Sequence, residues 1–148
     1  MFIHLNTHSV YSAMRGLLPV DQLIQLSKSN GMESLALTDV NCLSGFINFV
    51  KHCNSMDVNP IAGANLITKN EDIVVLVENQ IGYENLCRII SKSYDMKDQK
   101  ISDIIASHFS GLFILTEKYS ILKQLNSVVS DTHLFVELRP GGSESEAR

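Results

Sequence analysis

Long apolar runs are missing from this 148-residue chain, and no stretch approaches the ~20 residues that a membrane-spanning helix needs. No membrane partner is therefore expected. Cysteine is sparse: Cys42, Cys53 and Cys87 are scattered, and no two are spaced as Cys-x-x-Cys. Such a set reads as free thiols in a reducing cytoplasm. The opening Met1-Phe2-Ile3 carries no basic leader and polar residues follow at once, unlike a secretory signal. Positive charge is short as well. The net charge of −4 makes the chain as a whole a poor electrostatic trap for nucleic acid. There is no Gly-x-x-x-x-Gly-Lys phosphate loop and no Gly-x-Ser-x-Gly nucleophile elbow. Ser44-Gly45 lacks that context and reads as a helix cap. No Asp-x-Asp occurs, and Asp95 and Asp98 fall in a hydrophilic stretch that reads as solvated surface. Chemistry that needs paired carboxylates holding two metals is therefore not expected in this segment. Internal repeats and low-complexity tracts are absent too.

What is present suits one globular domain. At 45% hydrophobic and 19% charged, a chain of this length can bury about 70% of its unfolded surface. The stretch His4-Leu5-Asn6-Thr7-His8-Ser9-Val10-Tyr11-Ser12 is the most informative. It begins as an apolar strand, Met1 to Leu5, and turns polar within a few residues. Strand side chains alternate, so a strand running on to His8 would place His4, Asn6 and His8 on one face. Two imidazoles and an amide at a strand end suit a metal-assisted site. A buried strand with hydrogen-bonded histidines fits the same residues.

Two more stretches are built alike: Ser34-Leu35-Ala36-Leu37-Thr38-Asp39 and Asn59-Pro60-Ile61-Ala62-Gly63-Ala64-Asn65. Strands with polar C-terminal tips describe a parallel α/β layout whose sites gather at that edge. Between them, Val10 to Leu18 reads as a loop with Gly16 as a hinge. Pro19 opens a helix with Val20, Leu23, Ile24 and Leu26 as its stripe, closed by Asn30-Gly31. Ser44 to Met56 reads as a helix with Phe46, Ile47, Phe49, Val50 and Cys53 inward. His52 and Cys53 are adjacent on it, about 100° apart around the axis, so they make a poor metal pair. Asp72 to Glu78 suits a strand buried on both faces. Gly82 to Asp95 reads as a helix with Tyr83, Leu86, Ile89 and Ile90 inward, and Ile101 to His108 as a shorter one. Gly111 to Thr116 follows as a strand, Ser120 to Val129 as a helix, and Thr132 to Leu138 as a strand. The alternation implies a mostly parallel sheet or barrel.

These residues carry a resemblance. The stretch from His4 to Ser12, then Ala36-Leu37-Thr38-Asp39, Asn59-Pro60-Ile61-Ala62-Gly63-Ala64, Asn79-Gln80-Ile81-Gly82-Tyr83-Glu84-Asn85-Leu86 and Phe135-Val136-Glu137-Leu138 resemble the polymerase-and-histidinol-phosphatase (PHP) domain. The form they look most like is the one that opens the alpha subunits of bacterial replicative DNA polymerase III. The resemblance implies an irregular TIM-like (βα)7 barrel, of which this chain would be the N-terminal part.

The chain also departs from the family pattern. Asn6 stands where the family has the first His of His-x-His, Arg15 where it usually has Asp before Gly, Val40 where it has the His after Thr-Asp, and Asn65 where it has Glu. His8 and Asp39 keep a usable group. Catalytic members hold two or three metals on histidines and carboxylates. Asn is a poor ligand for transition metals, and Val has no lone pair. Arg15 brings a fixed positive charge where a cation would sit. At an effective dielectric of about 20, like charges ~4 Å apart repel by roughly 4 kcal/mol. The pocket of Asn6, His8, Arg15, Asp39, Val40 and Asn65 is therefore expected to be a vestige with no catalytic residue. His8 and Asp39 are expected to bond to each other or to Arg15.

At the far end, Arg139-Pro140-Gly141-Gly142 reads as a turn and Ser143-Glu144-Ser145-Glu146 as a capping box. Polymerase domains are expected beyond residue 148, in a parent that is a DNA-directed DNA polymerase reaching DNA through its other domains and using Mg. The resemblance implies partners among the polymerase III holoenzyme subunits, above all a proofreading exonuclease docked on this domain, and no cofactor in this segment. The alternative is an active metal-dependent phosphoesterase or 3′–5′ exonuclease holding Zn or Mn.

Overall fold

The computed structural model describes residues 2–95 and 100–138. The turn and capping box expected after Leu138, and Asp98, lie outside the described residues. The chain divides into two compact units, Met1–Asn65 and Leu66–Arg148. Both are α/β, and the described residues hold five helices and five strands.

The first unit contains α1 (Val20–Ser29), β1 (Ser34–Leu37), α2 (Phe46–Ser55) and most of β2 (Asn59–Ile67). Pro19 precedes α1, and Gly31, at φ 73°, turns the chain out of it. β1 and β2 pair in parallel, with Ser34 opposite Asn59 and Leu37 opposite Ala62. The core joins Val20 and Ile24 of α1, Leu35 and Leu37 of β1, and Phe49 and Cys53 of α2, closed by Val58. Both helical stripes are narrower than expected. Leu26 is 54% and Ile47 60% exposed, while Ser27 is buried, because the 3.6-residue period carries the inward face of α1 through 20, 24 and 27.

Among the described residues, the first strand expected over Met1 to Leu5 does not form. The chain bends at Leu5 and Asn6. It still leans on β1, since the His4 carbonyl accepts from Ala36 N–H at 3.1 Å and the Thr7 carbonyl from Thr38 N–H at 2.9 Å. The two carbonyls are three residues apart and their donors two, so one extra residue is accommodated, as in a β-bulge. The extra residue breaks strict strand alternation, yet His4, Asn6 and His8 still line one cavity, with Thr7 among them.

In the second unit lie β3 (Asp72–Val77), α3 (Gln80–Tyr94), α4 (Ile101–His108), β4 (Leu112–Thr116), α5 (Tyr119–Leu125) and β5 (Leu134–Val136). β4 and β5 are parallel, with one helix between them. β3 and β4 are antiparallel, so the described pairings are mixed: parallel for β1–β2 and β4–β5, antiparallel for this pair. Two helices separate β3 from β4, and two helical passes return the chain to the end from which β3 left. Asn79 caps α3 by accepting from Gly82 N–H at 3.1 Å. A Cβ on Gly82 would lie 1.8 Å from the Gly111 carbonyl oxygen, so glycine is required where the helix meets the start of β4. Buried Glu71 accepts from Ile101 N–H at 2.6 Å and from the Ser102 hydroxyl, serving as a remote cap for α4.

Candidate functional site

The site gathers where β1 ends. After Leu37 the chain leaves the regular ladder, and buried Thr38 turns to the N-terminal segment. Its hydroxyl accepts from Thr7 N–H at 2.8 Å and lies 3.1 Å from the Asn6 side-chain oxygen. Parallel pairing resumes as a single bridge between Val40 and Asn65, with Asn65 N–H donating to the Asp39 carbonyl at 3.2 Å. The polar tips of both strands thus meet the segment that carries His8. Asn65 Nδ2 lies 3.4 Å from His8 Nε2, while its Oδ1 is buried with no hydrogen-bond partner.

Asp39, 2% exposed, faces neither His8 nor Arg15. Its Oδ1 accepts from Ser9 N–H at 2.7 Å and from the Ser12 hydroxyl at 2.6 Å, and its Oδ2 from the Ser9 hydroxyl at 2.7 Å. The Ser12 oxygen in turn accepts from Val40 N–H at 2.9 Å. The expected bond from Asp39 to His8 or Arg15 is therefore corrected. Two serines within reach supply three donors, and a carboxylate that has lost the water around it is satisfied by them. Ser9 and Ser12, both buried, lie in the stretch singled out in the sequence but were given no role there. Their spacing of three, in a polar stretch after an apolar run, is the signal that could have found it.

The loop these bonds hold is not a hinge. Val10 N–H donates to the Leu18 carbonyl at 3.1 Å, and the amides of Arg15 and Gly16 both donate to the Ser12 carbonyl, at 3.0 and 2.9 Å. A Cβ on Gly16 would sit 1.8 Å from the Ser9 carbonyl oxygen, so the glycine marks a close backbone approach. Arg15 is exposed and lines a cavity of about 450 Å³ together with His4, Asn6, Thr7 and His8. Asp39, Val40 and Asn65 are not in that lining.

The donor set does not fit a metal cluster. Among the described residues, no three of His, Cys, Asp and Glu converge on a point that could hold an ion. The carboxylate at the strand end is saturated by serines, and a guanidinium borders the cavity where the histidines lie.

A family model described as PHP domain matches residues 4–141. The chain belongs to the PHP domain family. This PHP domain is homologous to part of DNA polymerase III subunit alpha. Over 127 residues it is 33% identical to that subunit of Vibrio cholerae, covering 78% of this chain and 11% of that protein. Over 100 residues it is 38% identical to the subunit of Buchnera aphidicola, covering 63% and 9%. The chain thus spans about a tenth of the length of these relatives. Two solved structures share its fold. One, described as a candidate metal-dependent phosphoesterase from Bifidobacterium adolescentis, superposes with a TM-score of 0.59 at 9% identity over 97% of this chain and 80% of that one. The other is a two-domain protein from Bacteroides vulgatus said to contain a PHP-like metal-dependent phosphoesterase, with a TM-score of 0.57 at 12% identity over 93% and 38%. No helix among the described residues is long and apolar enough to cross a membrane.

Proposed function

We propose that this PHP domain belongs to a DNA polymerase III alpha-type replicative polymerase, has lost its metal centre, and serves as a brace and a dock for a proofreading exonuclease. In this reading the barrel is completed by chain beyond residue 148, the polymerase domains follow and use Mg, and the whole works in the cytoplasm on DNA. The observation that carries the reading is the pair Asp39 and Arg15. The acidic group at the strand end is spent on holding a loop, and the group that loop presents to the cavity is a guanidinium. The site is arranged to hold its own backbone rather than a cation. An acidic domain with no row of basic side chains at the site also suits a protein partner better than direct DNA contact.

The test is a pull-down of the full-length chain with the organism's proofreading subunit, repeated after removal of this region. Binding should be lost with the region. Binding that survives the deletion would exclude it as the dock.

A further inference from the structure

We propose that the cavity of the first unit receives a carboxylate from an acidic, apolar segment of a partner protein, with Arg15 as the anchor. This deepens the docking role above and rests on it. The ionisable groups lining the cavity are Arg15, His4 and His8, and no Asp or Glu joins them, although the chain carries a net charge of −4. The cavity is thus a locally basic spot in an acidic molecule, which is the charge complement of an acidic ligand. A guanidinium is a permanent cation in proteins. Among the described residues Arg15 has no carboxylate partner, and its planar fork matches one bidentately.

The backbone of the anchor is also pre-set. Its amide donates to the Ser12 carbonyl at 3.0 Å, and the Ser12 hydroxyl donates to buried Asp39 at 2.6 Å. The loop backbone therefore needs little ordering on binding, and the cost that remains is that of the Arg15 side chain. Leu23, Leu26 and Met32 supply an apolar part of the lining. Beside Arg15 in the loop, Met14 at 102% and Leu17 at 88% exposure present their side chains to solvent, and Met14 does so from a left-handed backbone at φ 62°. A guanidinium flanked by uncovered apolar side chains has the composition of a protein-binding hot spot. Tracking a phosphate backbone would take a row of basic groups, whereas this lining holds one permanent cation.

The test uses the full-length chain in EDTA and three short amidated peptides in which leucine alternates with glutamate, glutamine or lysine, with titration calorimetry as the readout. The glutamate peptide should bind saturably and the other two should not. Arg15→Gln should weaken binding about tenfold or more, as expected for a charge-assisted pair. The double change Met14→Ser with Leu17→Ser should also weaken it. Lys51→Gln removes an equal charge outside the cavity and should leave it unchanged. No saturable binding, equal binding of the glutamine peptide, or full affinity in Arg15→Gln would each overturn the proposal. So would competition by a deoxynucleoside monophosphate that is itself lost in Arg15→Gln, which would make the cavity a phosphate site. Failure of the docking reading looks different: there, the proofreading subunit would still bind after the region is deleted.

Discussion

Replacing Asp39 with alanine should unfasten the loop that carries Arg15, with or without metal. The carboxylate accepts three hydrogen bonds inside the first unit, from Ser9 N–H, the Ser9 hydroxyl and the Ser12 hydroxyl. Alanine leaves all three donors without an acceptor at a site 2% exposed. A buried unsatisfied donor costs about 1–3 kcal/mol. The hydroxyls can turn toward other acceptors, which leaves roughly 3–5 kcal/mol for the three together. That is a large share of the ~5–15 kcal/mol that holds a domain folded. Asp39→Asn keeps the shape and one acceptor oxygen, and should cost about 1–2 kcal/mol. The assay is native-state hydrogen exchange of the full-length chain in EDTA, read at the amides of Ser9, Ser12, Arg15 and Gly16, because opening of this segment need not unfold the rest. Exchange should accelerate strongly in the alanine variant and modestly in the asparagine variant. If neither moves by more than the ~0.5 kcal/mol of an ordinary surface change, Asp39 is not the clasp inferred here.

Gly16→Ala should disrupt the same loop, because its Cβ would fall 1.8 Å from the Ser9 carbonyl oxygen; the readout is again exchange at the loop amides. Glu71→Ala should fray α4 by about 2–3 kcal/mol, since Ile101 N–H and the Ser102 hydroxyl both lose their acceptor; the amides at the start of α4 should lose protection while those of α3 keep it. Burial pushes the Cys53 thiol up from 9.0 to about 11. Its raised value contributes stability below pH 9, where the thiol is neutral in both states. Between pH 9 and about 11 the unfolded thiol ionises and the native one does not, so up to about 3 kcal/mol is lost as pH rises. Cys53→Ala should flatten that part of the stability–pH curve, and in the native protein Cys53 should resist thiol reagents that reach half-buried Cys42 and Cys87.

Much of the fold was legible because the local signals agree with it. Ile101 to His108 was expected as a helix and is one, with Ile101, Ile104 and Ile105 buried. The runs of β2 and β3 were visible as apolar stretches, whereas α3, expected from Gly82, starts at Gln80 behind an Asn79 cap that was not read. The first strand misled because an apolar run fixes neither a register nor a bulge. Its path is set by Thr38 and Ala36, some thirty residues away. The reversal between β3 and β4 was readable, since both intervening helices were expected and two passes imply an antiparallel return. At the site, the substitutions Asn6, Arg15, Val40 and Asn65 were visible against the family pattern, and His8 and Arg15 do line one cavity. The role of Asp39 was not legible. It depends on two serines about thirty residues upstream, which nothing local connects to it.

The central claim, that this PHP domain no longer holds a metal cluster, is tested most directly by elemental analysis of the full-length protein purified without chelator and exchanged into metal-free buffer. The account predicts less than one tightly held zinc or manganese per chain, and no nuclease activity that depends on His8. Two or more such ions per chain, with nuclease activity lost in His8→Ala, would contradict it.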